Sequence, residues 1–186
     1  MPSRSSRLCV AAVTLLSLVV SASVVKFETI DDMARRVPVI VRGRVLRSVA
    51  GWDEQKRRIW TWTEVAVTES IKGKTGGIVL VKQPGGEVAD IGQAVAGVAT
   101  FREGEDCVLF LQPSPEEPTA YRTANLAAGK VTITELRGQP AVVRNTDGLA
   151  FAVPNGQKVA KVTSPEFLGT PDAFVAHLRA IAGGAK

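Results

Sequence analysis

Side chains able to do chemistry are scarce in this chain. His177 is the sole imidazole, and the only thiols are Cys9 and Cys107. A serine or cysteine nucleophile wants a base beside it, and zinc catalysis wants two or more His or Cys ligands with a carboxylate. Neither set can be assembled from so thin an inventory. Glu103/Glu105 and Glu116/Glu117 are carboxylate pairs in loops, without the spacing of a calcium-binding loop, and read as solvated charge. Gly73-Lys74-Thr75 looks like the end of a phosphate-binding loop, but position 68, where that motif needs glycine, is Thr68, and a strand rather than a helix follows. No catalytic residue, no metal and no cofactor is expected.

Two other features offer binding chemistry. Trp60 and Trp62 alternate onto one face of a strand, with Arg57 and Arg58 just before them and Arg42 and Arg44 on the neighbouring strand. Exposed, that face is an aromatic and cationic platform able to stack bases, sugars or a peptide. Covered by Phe174 and Leu178 of a C-terminal helix, it is core. The second feature is the stretch from Pro84 to Gly104, which holds five glycines and exceeds the usual length of an unstructured connection. It is either a functional loop or a plug, with Val88, Ile91, Val95, Val98 and Phe101 closing one end of the fold. The candidate binding face combines Trp60, Trp62, Arg42 and Arg44 with Gly85, Gly86 and Glu87.

The elements that must position these residues follow from periodicity. Thr29 caps a short helix with Asp31 and Asp32 at its positive end, and Pro38 stops it. Val39–Leu46 and Ile59–Thr68 alternate as half-buried strands and form a long hairpin about a polar turn at Asp53–Lys56. Ile78–Gln83 is a third strand, and Asp106–Gln112, holding Cys107 as a buried apolar residue, is the most apolar. Tyr121–Ala124, Lys130–Leu136 and Ala141–Arg144 are shorter strands. Thr170, Pro171 and Asp172 open a final helix over 171–182, with Phe174, Leu178 and Ile181 on one face and His177 in a structural or solvent-facing place. Short strands, 17 glycines, 10 prolines and only terminal helices predict a mostly β fold: a small antiparallel OB-like barrel.

Arg4 and Arg7 precede an uncharged run from Leu8 to Val20, followed by Ser21 and Ala22. This is the pattern of a secretory leader, residues 1–22, cut after Ala22; an uncleaved anchor is the rival reading. A run of this length is short of the roughly 20 residues that a spanning helix needs, so no stable membrane span is expected after cleavage. Residues 23–186 then form one domain, exported to periplasm or medium. Loss of two arginines takes the formal charge from +5 to +3, mildly basic without implying nucleic acid. Cys107 is left alone, so no internal disulfide supports the fold.

The segments VPVIVRGRVLRSVAGWD, IWTWTEVAVTESIKG, VKQPGGEVADIGQAVAGVATFREGEDCVLFL and TANLAAGKVTI resemble an exported bacterial family of unknown function. Its strand-rich domains occur alone or beside matrixin-type metalloprotease domains. The likeness spans roughly residues 29 to 136. More distantly the chain is similar to the netrin-like OB fold of tissue inhibitors of metalloproteinases. Those inhibitors chelate the protease zinc through an N-terminal cysteine held by a disulfide, and this chain has none near Ser23. Only the architecture carries over. The expectation is an exported, non-enzymatic module that binds protein or envelope material; a modulator of a secreted metalloprotease is the alternative, and a hydrolase the third.

Overall fold

In the computed structural model of the chain, which describes residues 23–152 and 164–183, the strands are β1 (Ser23–Lys26), β2 (Val39–Trp52), β3 (Ile59–Lys72), β4 (Ile78–Pro84), β5 (Gly86–Val88), β6 (Ile91–Gln93), β7 (Asp106–Pro113), β8 (Tyr121–Thr123), β9 (Lys130–Leu136), β10 (Gln139–Arg144), β11 (Leu149–Ala152) and β12 (Glu166–Phe167). The helices are α1 (Ile30–Arg36) and α2 (Pro171–Gly183), with a 3-10 turn at Leu126–Gly129. The proposed leader lies outside the described residues.

Five strands close a barrel in the order β2-β3-β4-β8-β7 and back to β2. Every neighbouring pair is antiparallel except β4–β8, which meet in parallel at Val81 and Tyr121. Consecutive strands pair through hairpins until β8 crosses back beside β4, a Greek-key closure of the OB kind. The fold is thus the mostly β barrel with two flanking helices that the alternation predicts.

β7 is apolar throughout because both of its faces are buried. Cys107, Leu109 and Leu111 point into the barrel with Val41, Val45, Val65 and Val81. Val108 and Phe110 point the other way, into a second core with Met33, Ala34 and Val37 around α1 and Phe174, Val175 and Leu178 of α2. One edge of β7 pairs with β2; the other is divided, with β9 along Asp106–Leu109 and β8 along Leu111–Pro113. β9, β10 and β12 extend the sheet beyond the barrel. Thr29 caps α1 as expected, its hydroxyl accepting from the Asp32 amide at 3.1 Å.

Both strands of the first hairpin are longer than the alternation alone indicates, reaching Trp52 and Lys72. Three one-residue bulges break the β2–β3 register between Ile40 and Arg47, with the extra residue on β3 at Ile71 and Thr68 and on β2 at Leu46, and β2 parts from β7 after Arg44. Gly43 sits among them. A Cβ there would fall 2.5 Å from the Ala66 carbonyl oxygen and 2.7 Å from Val65 Cγ1, so the two backbones can approach this closely only at glycine.

The Pro84–Gly104 stretch is not structureless: β5 and β6 form a small hairpin within it. Its remainder closes one barrel end. Val95, Val98 and Phe101 line a 350 Å³ mouth opposite Ser48, Thr61 and Thr63, whereas Val88 and Ile91 do not plug it: they pair across the β5–β6 hairpin, where Ile91 is exposed. Glu105 is not solvated loop charge, as its sequence context suggests; it takes bonds from Lys130 at 2.5 Å and Thr132 at 2.7 Å. Desolvation raises its pKa, but these two donors outweigh that and leave it lowered. Lys130 also donates to the Thr100 carbonyl and lies 5.0 Å from the Phe101 ring, fixing the loop over the barrel end.

Two measurements check this packing. Gly43→Ala should lose about 1–3 kcal/mol in urea unfolding, whereas Gly77→Ala, with open space around its Cβ position, should stay within about 0.5 kcal/mol of the parent. Burial raises the Cys107 thiol to about 12. It should therefore resist an aromatic disulfide reagent at about pH 8 and react only on unfolding.

Candidate functional site

The turn between β2 and β3 brings the chain's three tryptophans together. Asp53 organises it: its carboxylate accepts the Arg57 amide at 2.7 Å, its amide donates to the Arg58 carbonyl, and its own carbonyl accepts the Lys56 amide. Trp52 ends β2, while Trp60 and Trp62 lie on the outward face of β3. Together with Lys82, Arg57 and Arg58 they line a cleft of 790 Å³, whose remaining wall is Asp53–Gln55 and Glu116–Glu117. Trp60 is 7% exposed, Trp52 and Trp62 are half-buried, and both arginines are exposed.

Cross-strand register explains the cluster. Lys82 of β4 stands opposite Trp62, and Pro84 opposite Trp60. The Lys82 ammonium lies 4.9 Å from the Trp60 ring and 5.0 Å from Trp62, a double cation–π contact. It also donates to Glu117 at 3.0 Å, and the same carboxylate oxygen accepts the Trp62 indole N–H at 2.9 Å. Glu117 is held below the usual carboxylate range, first by the Trp62 indole and then by Lys82. One carboxylate thus fixes both the lysine and the indole. Arg122 approaches Trp60 at 5.7 Å and pairs with Glu116, which also accepts from Ser114.

On the β2 side, Gly51 stands opposite Trp60. A Cβ at position 51 would be 3.3 Å from Trp62 Cζ3, so the missing side chain makes room for the indole.

The other residues marked by the sequence lie elsewhere. Phe174 and Leu178 pack against α1 and do not cover the indoles; side chains from β4 and the Pro113–Pro118 loop do. Arg42 bonds Asp106 at 2.7 Å, and with Arg44, Thr68 and Glu69 it lines a separate 210 Å³ depression. Arg44 pairs with Ala66, four residues along β3 from Trp62, or about 13 Å. Gly85 and Gly86 belong to the barrel mouth, and Glu87 is exposed on the β5–β6 hairpin. Gly86, at φ 137°, packs where a Cβ would lie 2.5 Å from Thr61 Oγ1. The sequence-marked face therefore divides among three places, and only Trp60 and Trp62 sit in the large cleft.

Glu116 and Glu117 are the correction of most consequence. They read as solvated loop charge because their surroundings are Pro-rich and lack periodicity. The fold brings them back against β3 and β4, where they pair with Arg122 and Lys82. Trp52 and Lys82 also went unmarked; the β3–β4 register is the signal that finds Lys82. His177 bonds Asp31 at 2.8 Å on an exposed surface. Among the described residues, no group of three or more His, Cys, Asp or Glu side chains is placed to hold a metal, and no helix is long and apolar enough to cross a membrane.

The carboxylate–indole–ammonium network has a pH signature. Because the Glu117 pKa is depressed on folding, its contribution is complete at neutral pH and is lost as pH falls through the folded value, below the usual carboxylate range. Tryptophan emission should be constant from neutral pH down to that range and shift beneath it. In Glu117→Gln that acid step should vanish, with a stability loss of about 1–3 kcal/mol from the lysine left without its partner. No family model matches the chain, and no curated protein sequence matches it.

Proposed function

We propose that this chain is an exported, non-enzymatic binding module that holds protein or envelope material in the tryptophan cleft. The observation that carries this reading is the convergence of Trp52, Trp60 and Trp62 with exposed Arg57 and Arg58 in one 790 Å³ cleft. Large indoles at a surface that also supplies fixed polar groups are the usual makings of a recognition site. Export rests on the basic, apolar and small-residue succession of residues 1–22. The groups that nucleophilic or acid–base catalysis would use are committed elsewhere: the thiol of Cys107 is sealed in the barrel, and His177 is engaged with Asp31 on a helix surface.

Modulation of a secreted metalloprotease by zinc chelation would need a free N-terminal amine. Cleavage after Ala22 would put the new amine on Ser23, whose nitrogen donates to the Gly148 carbonyl at 3.0 Å while its hydroxyl bonds Ala96. An amine engaged in this way is poorly placed to chelate a partner's zinc.

The test is retention of envelope material from the source cell by immobilised protein. The parent should retain a defined component, and Trp52→Ala combined with Arg58→Ala should reduce retention about tenfold or more without changing the unfolding midpoint. Equal retention by parent and variant would remove the cleft from the function.

A further inference from the structure

The polar groups of the cleft narrow what it can hold, given the binding reading above. Lys82 is neutralised by Glu117, and Arg122 neutralises Glu116. Arg57 and Arg58 then face Asp53 and Glu54 across the turn, with no surplus of either sign. A polyanion such as a nucleic acid strand would meet four carboxylates (Asp53, Glu54, Glu116 and Glu117) against four basic groups (Arg57, Arg58, Lys82 and Arg122), and a polycation would fare no better. The favoured ligand is uncharged and both donates and accepts hydrogen bonds.

The backbone sharpens the choice. At Trp60 and Trp62, β3 is paired on both sides, with β2 at Gly51 and Val49 and with β4 at Pro84 and Lys82. β3 therefore offers an extended peptide no open edge at Trp60 and Trp62; the unpaired edge of β2 beyond Arg44 lies on the side of β2 away from β3. Recognition falls to ring faces and side-chain polar groups. Sugar rings match this surface: their C–H faces lie against indoles, and their hydroxyls both donate to carboxylates and accept from guanidinium groups. Trp62 is already fixed by its bond to Glu117 at 2.9 Å, so little conformational freedom is lost on stacking.

We infer that the tryptophan cleft is a binding site for a neutral oligosaccharide segment of envelope polysaccharide, with Trp52 and Trp62 as stacking plates and Arg57, Arg58, Asp53 and Glu54 bonding hydroxyls. The whole purified protein is titrated, by tryptophan emission, with neutral hexaoses of glucose, N-acetylglucosamine, mannose and galactose. A Pro- and Tyr-rich dodecapeptide and a twelve-residue oligothymidylate are titrated in parallel.

At least one hexaose should give a saturable change with a dissociation constant of about 10 µM to 1 mM. That response should be insensitive to salt from about 50 to 500 mM. Trp52→Ala and Arg58→Ala should each weaken it about tenfold with unchanged unfolding midpoints.

No response to any hexaose at about 10 mM, or one that survives both substitutions, overturns the assignment; this concentration is ten times the weakest constant expected. Binding of the dodecapeptide alone reassigns the cleft to peptide, and binding of the oligothymidylate alone reassigns it to nucleic acid. If envelope material is retained through Trp52 and Arg58 while every hexaose fails, the binding reading stands and the sugar assignment falls. Failure of both removes both.

Discussion

The close approach of β2 and β3 at Gly43 is the constraint on which the rest of the molecule depends. There β2 is paired with β7 through Cys107 and with β3 through Val67, and no side chain fits between it and the Ala66 carbonyl. Bulges on both strands flank this point, and the first half of β2 walls the barrel while its second half leaves β7 behind after Arg44. From Leu46 to Trp52 the strand runs with β3 alone as an arm, whose tip turns at Asp53–Arg58. Because β2 parts from β7 at Arg44, the turn carries the tryptophans beyond the β2–β7 wall of the barrel.

Two cores share the wall between them. The barrel interior is built from valines and leucines of β2, β3, β4 and β7, and the outer core from α1, α2, the opposite faces of β2, β3 and β7, and residues of β9, β10 and β11. β7 serves both, which makes it continuously apolar and commits the helices to one side of the barrel. The tryptophan cleft is left without a helical lid. Its own cover is electrostatic: a lysine against two indoles, a glutamate that holds the lysine and one indole, and an arginine–glutamate pair beside them. Such a network orders the rings while keeping the site polar enough to stay wetted.

Most of the scaffold was legible in the residues. Alternation located β2, β3, β4 and β7, Thr29 and Pro38 bounded α1, and Thr170-Pro171 opened α2. β1 and β11 escaped because a four-residue parallel pair between distant segments leaves no local pattern. The site was legible only in part. Trp60 and Trp62 declared themselves by alternation, but their partners depend on register and on the return of an aperiodic Pro-rich loop. Arg42 and Arg44 looked adjacent because strand neighbours share a face; the register puts their β3 partners, Glu69 and Ala66, seven and four residues from Trp62. Gly85 and Gly86 marked a real backbone approach, at the barrel mouth instead of the cleft.

The most direct measurement is a two-dimensional proton–nitrogen spectrum of the indole N–H groups, recorded with and without neutral oligosaccharides released from envelope polysaccharide. The indole resonances of Trp52 and Trp62 should move on addition, while amides of the barrel interior, such as those of Leu109 and Val81, stay in place. Unmoved indoles, or shifts confined to Gly85, Gly86 and the barrel mouth, would contradict the assignment of recognition to the outward face of β3.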